Sequence, residues 1–584
     1  MDAEVSSPQQ DSSSGHNSHR HRHRHRRKPN NHVEFLELDS SKLNQEARET
    51  ALEESKKKPK VRRFKSFAEV LEAVGSFGRY QIFTCFVVQY ASILWAGNYA
   101  FLTLGQIEPD WTCQEPAYNG TIWSAPNNQT DPAFCTMIHT CRANGTLAAV
   151  RNDFRSLVQD FYLVCDLAWV PSFIHVVYLL GRLLGSIIGG HLGDHFGRRR
   201  GFFSGQFFII ITSVMSIASL SWQVFAVFTA LNGFFFGLIE VTAMTLMMEY
   251  TDSRHRLIPN AMFQWCLGFM VIALVAFLTR DWRMYLIFIN LLAAPLLVGY
   301  LLFHESPRWL ITKGKLLEAA ETLTDIGSER WNNRLNGAEI TPDMLQDIPR
   351  SRKYRRYTFT HLFRDKGLTW QSILQILSIL TYSLIDATYF YDNSFLGVGP
   401  FMHLFLYGCL RIWLPVAIIY LDFAVPKFGR KSLMLSSLAV TAVTFLIITI
   451  LVSFGFSTSY WAVATATVIG TTVNVSALYM AIVQITAVAY PTVCRAIAFG
   501  TLHITDDLGA LIALLVIIPN SGYWNALPYA VPLGLIIITF GLALRYQPET
   551  KHEELPDRYS DAVRKHSTMS HATIVHSPSS PSLP

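Results

Sequence analysis

Val170 to Arg200 reads "VPSFIHVVYLLGRLLGSIIGGHLGDHFGRRR". A long apolar run gives way within a few residues to Asp194, His195 and three consecutive arginines, Arg198 to Arg200. About 20 apolar residues suffice to cross a hydrocarbon core of roughly 30 Å as a helix. Arginines clustered at the end of such a run mark its cytosolic boundary. The stretch therefore reads as a membrane span followed by a tight intracellular turn, and it sets the pattern for the rest of the chain.

Working outward, the same reading gives twelve spans, at approximately 81–105, 169–192, 201–220, 223–248, 258–279, 284–303, 369–391, 400–424, 432–454, 460–486, 498–519 and 526–545. Half of the 584 residues are hydrophobic and 13% are aromatic, a composition that argues against a soluble globular chain. Met1 to about Pro59 is polar throughout, so no cleavable signal peptide is read there. Basic residues crowd the segment "SKKKPKVRRFK" and the turns "GRRR", "DSRHR" and "PKFGRK". The alternate turns "SLSWQ", "DNSFLGVG", "SFGFSTS" and "PNSGYWN" carry none, and only "TRDWR" and the long first loop break the pattern. That asymmetry expects both termini in the cytosol. The net charge of +6 adds little, because the basic clusters sit where anionic inner-leaflet lipid would attract them.

The long segment between spans 1 and 2, about 106–168, holds Cys113, Cys135, Cys141 and Cys165 and three sequons, at Asn119, Asn128 and Asn144. An oxidised, glycosylated external loop with two disulfides follows, and three pairings are open. A fourth sequon, Asn474, falls inside span 10 and is discounted. The domain plan is a disordered cytosolic tail at 1–65, six spans over 66–303, a cytosolic segment at 304–368, six spans over 369–546 and a cytosolic tail at 547–584. Two six-helix halves around a soluble insert is the layout of a transporter built from repeats. The fold class is an all-α membrane protein of two six-helix bundles. The repeat "HRHRHRHRR" (His19–Arg27) reads as a basic tail near lipid headgroups rather than a metal site, since the intervening arginines oppose cation binding.

The turn "GGHLGDHFGRRR" resembles the signature of the major facilitator superfamily. Gly190, Asp194, Gly197, Arg198 and Arg199 match it, and His195 replaces the usual base. Its physical logic is a latch: glycines let helix ends approach, and Asp194 caps a helix N-terminus or pairs with arginine across the halves. Gly181, Gly185 and Gly189 repeat every four residues as a close-packing stripe, with no ligand expected there. "FYLVC" ending at Cys165, "WR" at 282–283, "ESPRWL" at 305–310, "GRK" at 429–431, "YPT" at 490–492 with Arg495 after it, and "PET" at 548–550 follow in order. Together with the cysteine-bearing loop they resemble the organic cation/anion transporter family, over about residues 67 to 557. The resemblance implies the major facilitator fold and polyspecific transport of charged organic solutes across the plasma membrane.

Ionisable residues inside spans are costly, so each is a functional candidate. Asp507 lies about ten residues, or ~15 Å, from the cytosolic end of span 11, near the bilayer midplane. The resemblance puts aspartate there in cation carriers and arginine in many anion carriers. Its neighbour Asp506 is expected to face another way. Glu240 takes a position where the resemblance implies a cavity-lining aromatic. Asp386 is followed by Tyr389, Phe390 and Tyr391, a cluster suited to an ammonium ion or, equally, to a membrane-surface girdle. Arg411 stands where the family usually has glutamate. Paired with Glu240, Asp386 or Asp507 it neutralises one acid, and unpaired it could hold a substrate carboxylate.

The remaining signature residues are Glu249 and Arg254 after span 4, Glu305 and Arg308 in "ESPRWL", and Gly429, Arg430 and Arg495 in the second half. Thr229 stands where the superfamily often carries a proton-coupling arginine, which argues against proton antiport. Pro426 replaces an expected acid, as does Val488 before "YPT", so the second latch is weaker or rebuilt. No phosphate-binding loop or nucleophile-and-base set occurs, and neither cofactor nor metal is expected. The expected partners are small charged organic solutes and the bilayer, not nucleic acid. The expected function is organic-cation transport by alternating access, facilitated and drawn by about 2.3 kcal/mol per 100 mV of membrane potential. Carriage of carnitine- or betaine-like zwitterions or of organic anions, and a non-transporting receptor of the same fold, are the alternatives.

Overall fold

The computed structural model describes residues 63–115, 122–124, 131–150, 153–262, 265–350, 357–391, 399–456, 460–520 and 522–564. Asn119, Asn128 and the repeat His19–Arg27 lie outside them. Twelve helices among the described residues are long and apolar enough to cross a membrane. They are α1 Arg79–Leu104, α2 Cys165–Phe196, α3 Arg198–Ile217, α4 Trp222–Tyr250, α5 Leu257–Thr279 and α6 Trp282–Leu301, then α7 Lys366–Phe390, α8 Pro400–Ala424, α9 Arg430–Ser453, α10 Trp461–Ala489, α11 Arg495–Ile517 and α12 Leu527–Tyr546. Each begins and ends within a few residues of its sequence reading.

Local chemistry sets these ends. Ser221 accepts from the N–H of Val224 to start α4, and Asp281 accepts from Arg283 and Met284 to start α6. The glycine stripe packs α2 on α4. A Cβ at Gly189 would stand 2.8 Å from the Cα of Leu238, and Cβ atoms at Gly181 and Gly185 would strike the carbonyls of Ala230 and Phe234. Within the first six helices α3 also packs on α4 and α1 on α5 and α6; within the last six, α7 packs on α11 and α12, and α9 on α10 and α12. The halves meet along α2 against α11 and α5 against α8. Alpha-helical turns widen to π-helical ones at Val473–Leu478 in α10 and Ala513–Ile517 in α11. Asn474, the discounted sequon, is buried in the first of these and donates to the carbonyl of Tyr382.

The segment between α1 and α2 departs from the all-helical reading with a small antiparallel sheet. β1 (Asp110–Cys113) lies between β2 (Ile122–Ser124) and β3 (Leu147–Val150). Of the three open pairings the structure has Cys113–Cys141 and Cys135–Cys165. Asp160 ties this segment to α6, accepting from Arg155, from Trp282 Nε1 at 3.2 Å and from Arg283 Nη2 at 3.1 Å. Burial alone would raise its carboxyl, but Arg283 and Arg155 outweigh it and hold the group below the usual carboxylate range. This gives the "WR" motif a structural task. The Cys113–Cys141 bridge closes a loop of 28 residues. Its removal by Cys113→Ser with Cys141→Ser is expected to destabilise the segment by about 3–4 kcal/mol, read as a lower melting temperature of the purified protein.

Candidate functional site

A cavity of about 40 Å³ lies where the two halves meet. Its polar lining is Arg182 on α2, Glu240 on α4, Asp386 on α7, Arg411 on α8 and Asp506 on α11. Tyr99, Trp265, Phe269, Tyr382, Tyr407 and Tyr479 supply aromatic walls. Trp265 reaches it from a left-handed backbone, φ +55°, a conformation that costs a non-glycine residue energy and gathers at functional sites. The volume suits water rather than an organic ion, so the site is contracted in this state.

Two ionic groups face each other across it. In the first, Arg182 donates from Nε (3.2 Å) and Nη2 (2.9 Å) to Glu240 Oε2 and from Nη2 to Asp506 Oδ2 (2.8 Å), while Nη1 stands 3.1 Å from Asp507 Oδ1. His503 Nδ1 lies 3.5 Å from the same glutamate oxygen. In the second, Arg411 Nη2 donates to Asp386 Oδ1 at 2.6 Å, and Tyr407 hydrogen-bonds both partners. The Arg411 guanidinium also lies 4.2 Å from the centroid of the Tyr407 ring. Four carboxylates against two guanidiniums leave a formal excess of two negative charges.

Several sequence expectations change here. Asp507 is wholly buried and does not line the cavity; its neighbour Asp506 does. Successive helical residues point about 100° apart, and the long Arg182 side chain reaches both. Glu240 lines the cavity as expected and shares Arg182 with both aspartates. Arg411 takes Asp386, one of its three candidate partners. Tyr389 and Phe390 are buried rather than girdle residues. Tyr389 stacks on Tyr407 behind the central cavity and lines a separate recess with Phe445 and Tyr529. The side chain of Tyr391 is outside the described residues.

Sequence reasoning missed Arg182. A lone arginine in the middle of "LLGRLLG" is itself the signal for an intramembrane functional group, but the glycine stripe around it drew a purely structural reading.

At the end bearing residues 304–368, a latch joins the halves. Asp194 accepts from the N–H groups of Ala496 (3.4 Å) and Ile497 (3.1 Å), capping α11 of the other half. Arg198 pairs with Asp194 at 2.9 Å and Glu249 at 3.1 Å, and Arg495 reaches the same Glu249 oxygen at 3.0 Å. Gly190 sits at this crossing, where a Cβ would stand 3.0 Å from the carbonyl of Ala496. Arg308 donates to Asp557 at 2.7 Å, fixing the segment after α12. Arg254, the other signature residue after span 4, is exposed, and Arg198 and Arg495 fill the Glu249 carboxylate.

Each half repeats one device. Glu305 accepts from the N–H groups of Arg198 (2.8 Å) and Arg199 (3.2 Å) at the start of α3, and Glu549 accepts from Arg430 (2.7 Å) and Lys431 (3.2 Å) at the start of α9. Gly197, with φ +107°, and Gly429 make room, since a Cβ at either would strike these carboxylates. Burial raises the Glu305 carboxyl against the opposing pull of the Arg199 N–H and the Arg198 charge. The acid missing at Pro426 is replaced by Asp422, which pairs with Arg430 at 2.6 Å and Lys551 at 3.3 Å. The second latch is rebuilt from a residue one helical turn earlier.

In the cavity wall Tyr99 stacks on Phe390 with centroids 4.6 Å apart, and Phe269 meets Tyr407 at 4.9 Å. Both contacts cross between the halves.

The sugar (and other) transporter family matches residues 117–558. Solute carrier family 22 member 7 of Pongo abelii is 26% identical over 554 residues, covering 85% of this chain and 96% of that protein. The Mus musculus protein of that name is 28% identical over 427 residues, covering 71% and 76%. A proton:xylose symporter bound to 6-bromo-6-deoxy-D-glucose shares the fold, with a TM-score of 0.56, 16% identity, and coverage of 82% of this chain and 98% of that one. With twelve spans, latched halves and these matches, the chain belongs to the sugar (and other) transporter family and is a major facilitator transporter of the solute carrier 22, organic-ion type.

Proposed function

We propose that this protein carries organic cations across the plasma membrane by alternating access, with both termini in the cytosol. The observation that carries the reading is the cavity between the halves, whose charged groups leave a negative excess and whose walls are aromatic. An ammonium ion gains from carboxylates and from ring faces together. As the cavity expands, Asp506 and Glu240 present oxygen atoms on one side while Tyr382, Tyr407 and Tyr479 surround the alkyl groups. The basic turns, the disulfide-linked segment and the exposed Asn144 support the orientation, with Asn144 as the described glycan acceptor.

Saturable uptake of tetraethylammonium by cells expressing the full chain tests the reading. Asp506→Asn at matched surface expression is expected to lower that uptake about 30-fold, the equivalent of ~2 kcal/mol for a lost charged contact. Wild-type uptake with no effect of the substitution would remove Asp506 from the site. Binding with no uptake would favour the receptor alternative.

A second reading rests on Arg411, which lines the cavity with one acidic partner. A zwitterion could place its carboxylate on Arg411 and its ammonium by Asp506. Uptake of a betaine but not of tetraethylammonium, abolished by Arg411→Gln, would establish it. Uptake of an aryl carboxylate alone would reverse the charge reading.

A further inference from the structure

We propose that the cluster around Arg182 binds one exchangeable proton, held on Asp507, and that the transporter trades this proton for its organic cation. The inference rests on the cation reading of the same cavity and adds the coupling ion. One guanidinium serves three carboxylates: Glu240 and Asp506 share Nη2, and Asp507 stands at Nη1. With all three ionised the cluster would carry two uncompensated negative charges at hydrocarbon depth. Acids sharing one desolvated site do not all ionise.

Apart from His503, the described surroundings supply no further cation free to relieve it. Tyr178 of α2, Tyr382 of α7 and Tyr479 of α10 bring neutral phenols. Asp386 of α7 adds a further acid, and Arg411 of α8 is committed to it. On α11 itself His503 lies 3.5 Å from Glu240.

The geometry points to Asp507 as the proton carrier. Glu240 accepts two guanidinium hydrogen bonds and Asp506 accepts one at 2.8 Å. Asp507 is 0% exposed, and neither of its carboxyl oxygens has a hydrogen-bond partner among the described residues. A carboxylate in that position lacks the contacts its neighbours enjoy, whereas a neutral acid tolerates burial.

The cluster also joins the halves, with Arg182 and Glu240 on α2 and α4 and both aspartates on α11. When an organic cation arrives beside Asp506 and Glu240, the site gains one positive charge. The Asp507 O–H bond then breaks, its proton passes to water, and the new carboxylate rests on Arg182. One positive charge enters and one leaves, so the site keeps its charge and a turnover moves no net charge across the membrane. Such an exchange runs counter to two sequence expectations, uptake drawn by membrane potential and the argument from Thr229 against proton antiport, and the test below decides between them.

Full-length protein in proteoliposomes, with tetraethylammonium as the probe and a luminal pH dye, tests the exchange. Expected accumulation rises about tenfold per unit by which the lumen is more acidic, the lumen turns alkaline as the probe enters, and a negative-inside potassium–valinomycin potential at equal pH changes little. Accumulation that follows the potential and ignores the pH gradient overturns the exchange while leaving cation carriage intact. Absence of probe uptake and binding under every condition overturns the cation reading instead.

The proton site has its own readout. Infrared spectra of the purified protein are expected to show the C=O stretch of a protonated carboxylic acid at neutral pH. Asp507→Asn removes it, Asp507→Glu shifts it, and Asp386→Asn leaves it. No such band in a wild-type protein with a cooperative melt overturns the site, and the glutamate variant covers the case in which asparagine fails to fold.

Discussion

Arg182→Gln is expected to abolish transport, with uptake falling by about a hundredfold or more and surface delivery reduced. The substitution removes the counter-charge from three buried carboxylates at once, and breaking a buried ion pair by deleting one partner costs about 3–5 kcal/mol. It also cuts the ionic tie between α2 and α11 inside the cavity. Arg182→Lys keeps the charge but not the planar fork that reaches Glu240, Asp506 and Asp507 together. An intermediate phenotype is therefore expected. Adding Asp507→Asn to Arg182→Gln removes one stranded acid and is expected to recover part of the melting temperature without recovering transport. Surface biotinylation beside uptake separates the two effects. Normal uptake by Arg182→Gln would reduce the cluster to incidental contacts.

Glu249→Gln is expected to open the latched end. Glu249 is wholly buried and receives Arg198, Arg495 and, at 2.5 Å, the hydroxyl of Ser306. Removing its charge takes the ion-pair partner from the buried Arg495 while Arg198 keeps Asp194, at a cost of about 3–5 kcal/mol. Of these contacts the one with Arg495 crosses between the halves and exists only while they are closed at this end, so its share of the cost falls on the closed state. Converted at 1.4 kcal/mol per tenfold, that cost corresponds to a shift of the equilibrium between access states of up to about two to three and a half decades. Spin labels on the exposed positions 200 and 427, one in each half, would read this as a longer distance population. A lower melting temperature with an unchanged distance would instead assign Glu249 to fold stability alone.

Most of the architecture was legible because its signals are long. Twelve apolar runs, with arginine at one set of ends, fix helix number and order by length and charge alone, and the structure moves their ends by only a few residues. The latch was legible in part: Asp194 caps α11 as the motif implied, and Pro426 signalled a rebuilt second latch. Neither Asp422 nor the arginines that fill Glu249 could be named, because spacing in sequence does not say which side chain arrives first in space. Asp422 lies in the last turn of α8 and reaches Arg430 only because the chain turns tightly there. The central cavity was the least legible. Its polar groups come from five helices, and whether Asp506 or Asp507 faces the lumen depends on a helix rotation that no single-sequence pattern specifies. Arg182 could have been flagged by its position in a span, yet its three partners lie 58 to 325 residues away in the chain.

The paired carboxylates Glu305 and Glu549 carry one more consequence. Each belongs to the segment that follows a sixth helix and plugs the start of the third helix of its own half, so each half is a ring fastened by a strut on the rim that bears the latch. The polypeptide from Gln547 to about Arg564 is then machinery rather than trailing chain, with Leu555 and Ala562 buried and Asp557 gripped by Arg308. A truncation or fusion that begins before Glu549 unfastens the second ring, whereas one placed beyond Arg564 leaves both rims intact.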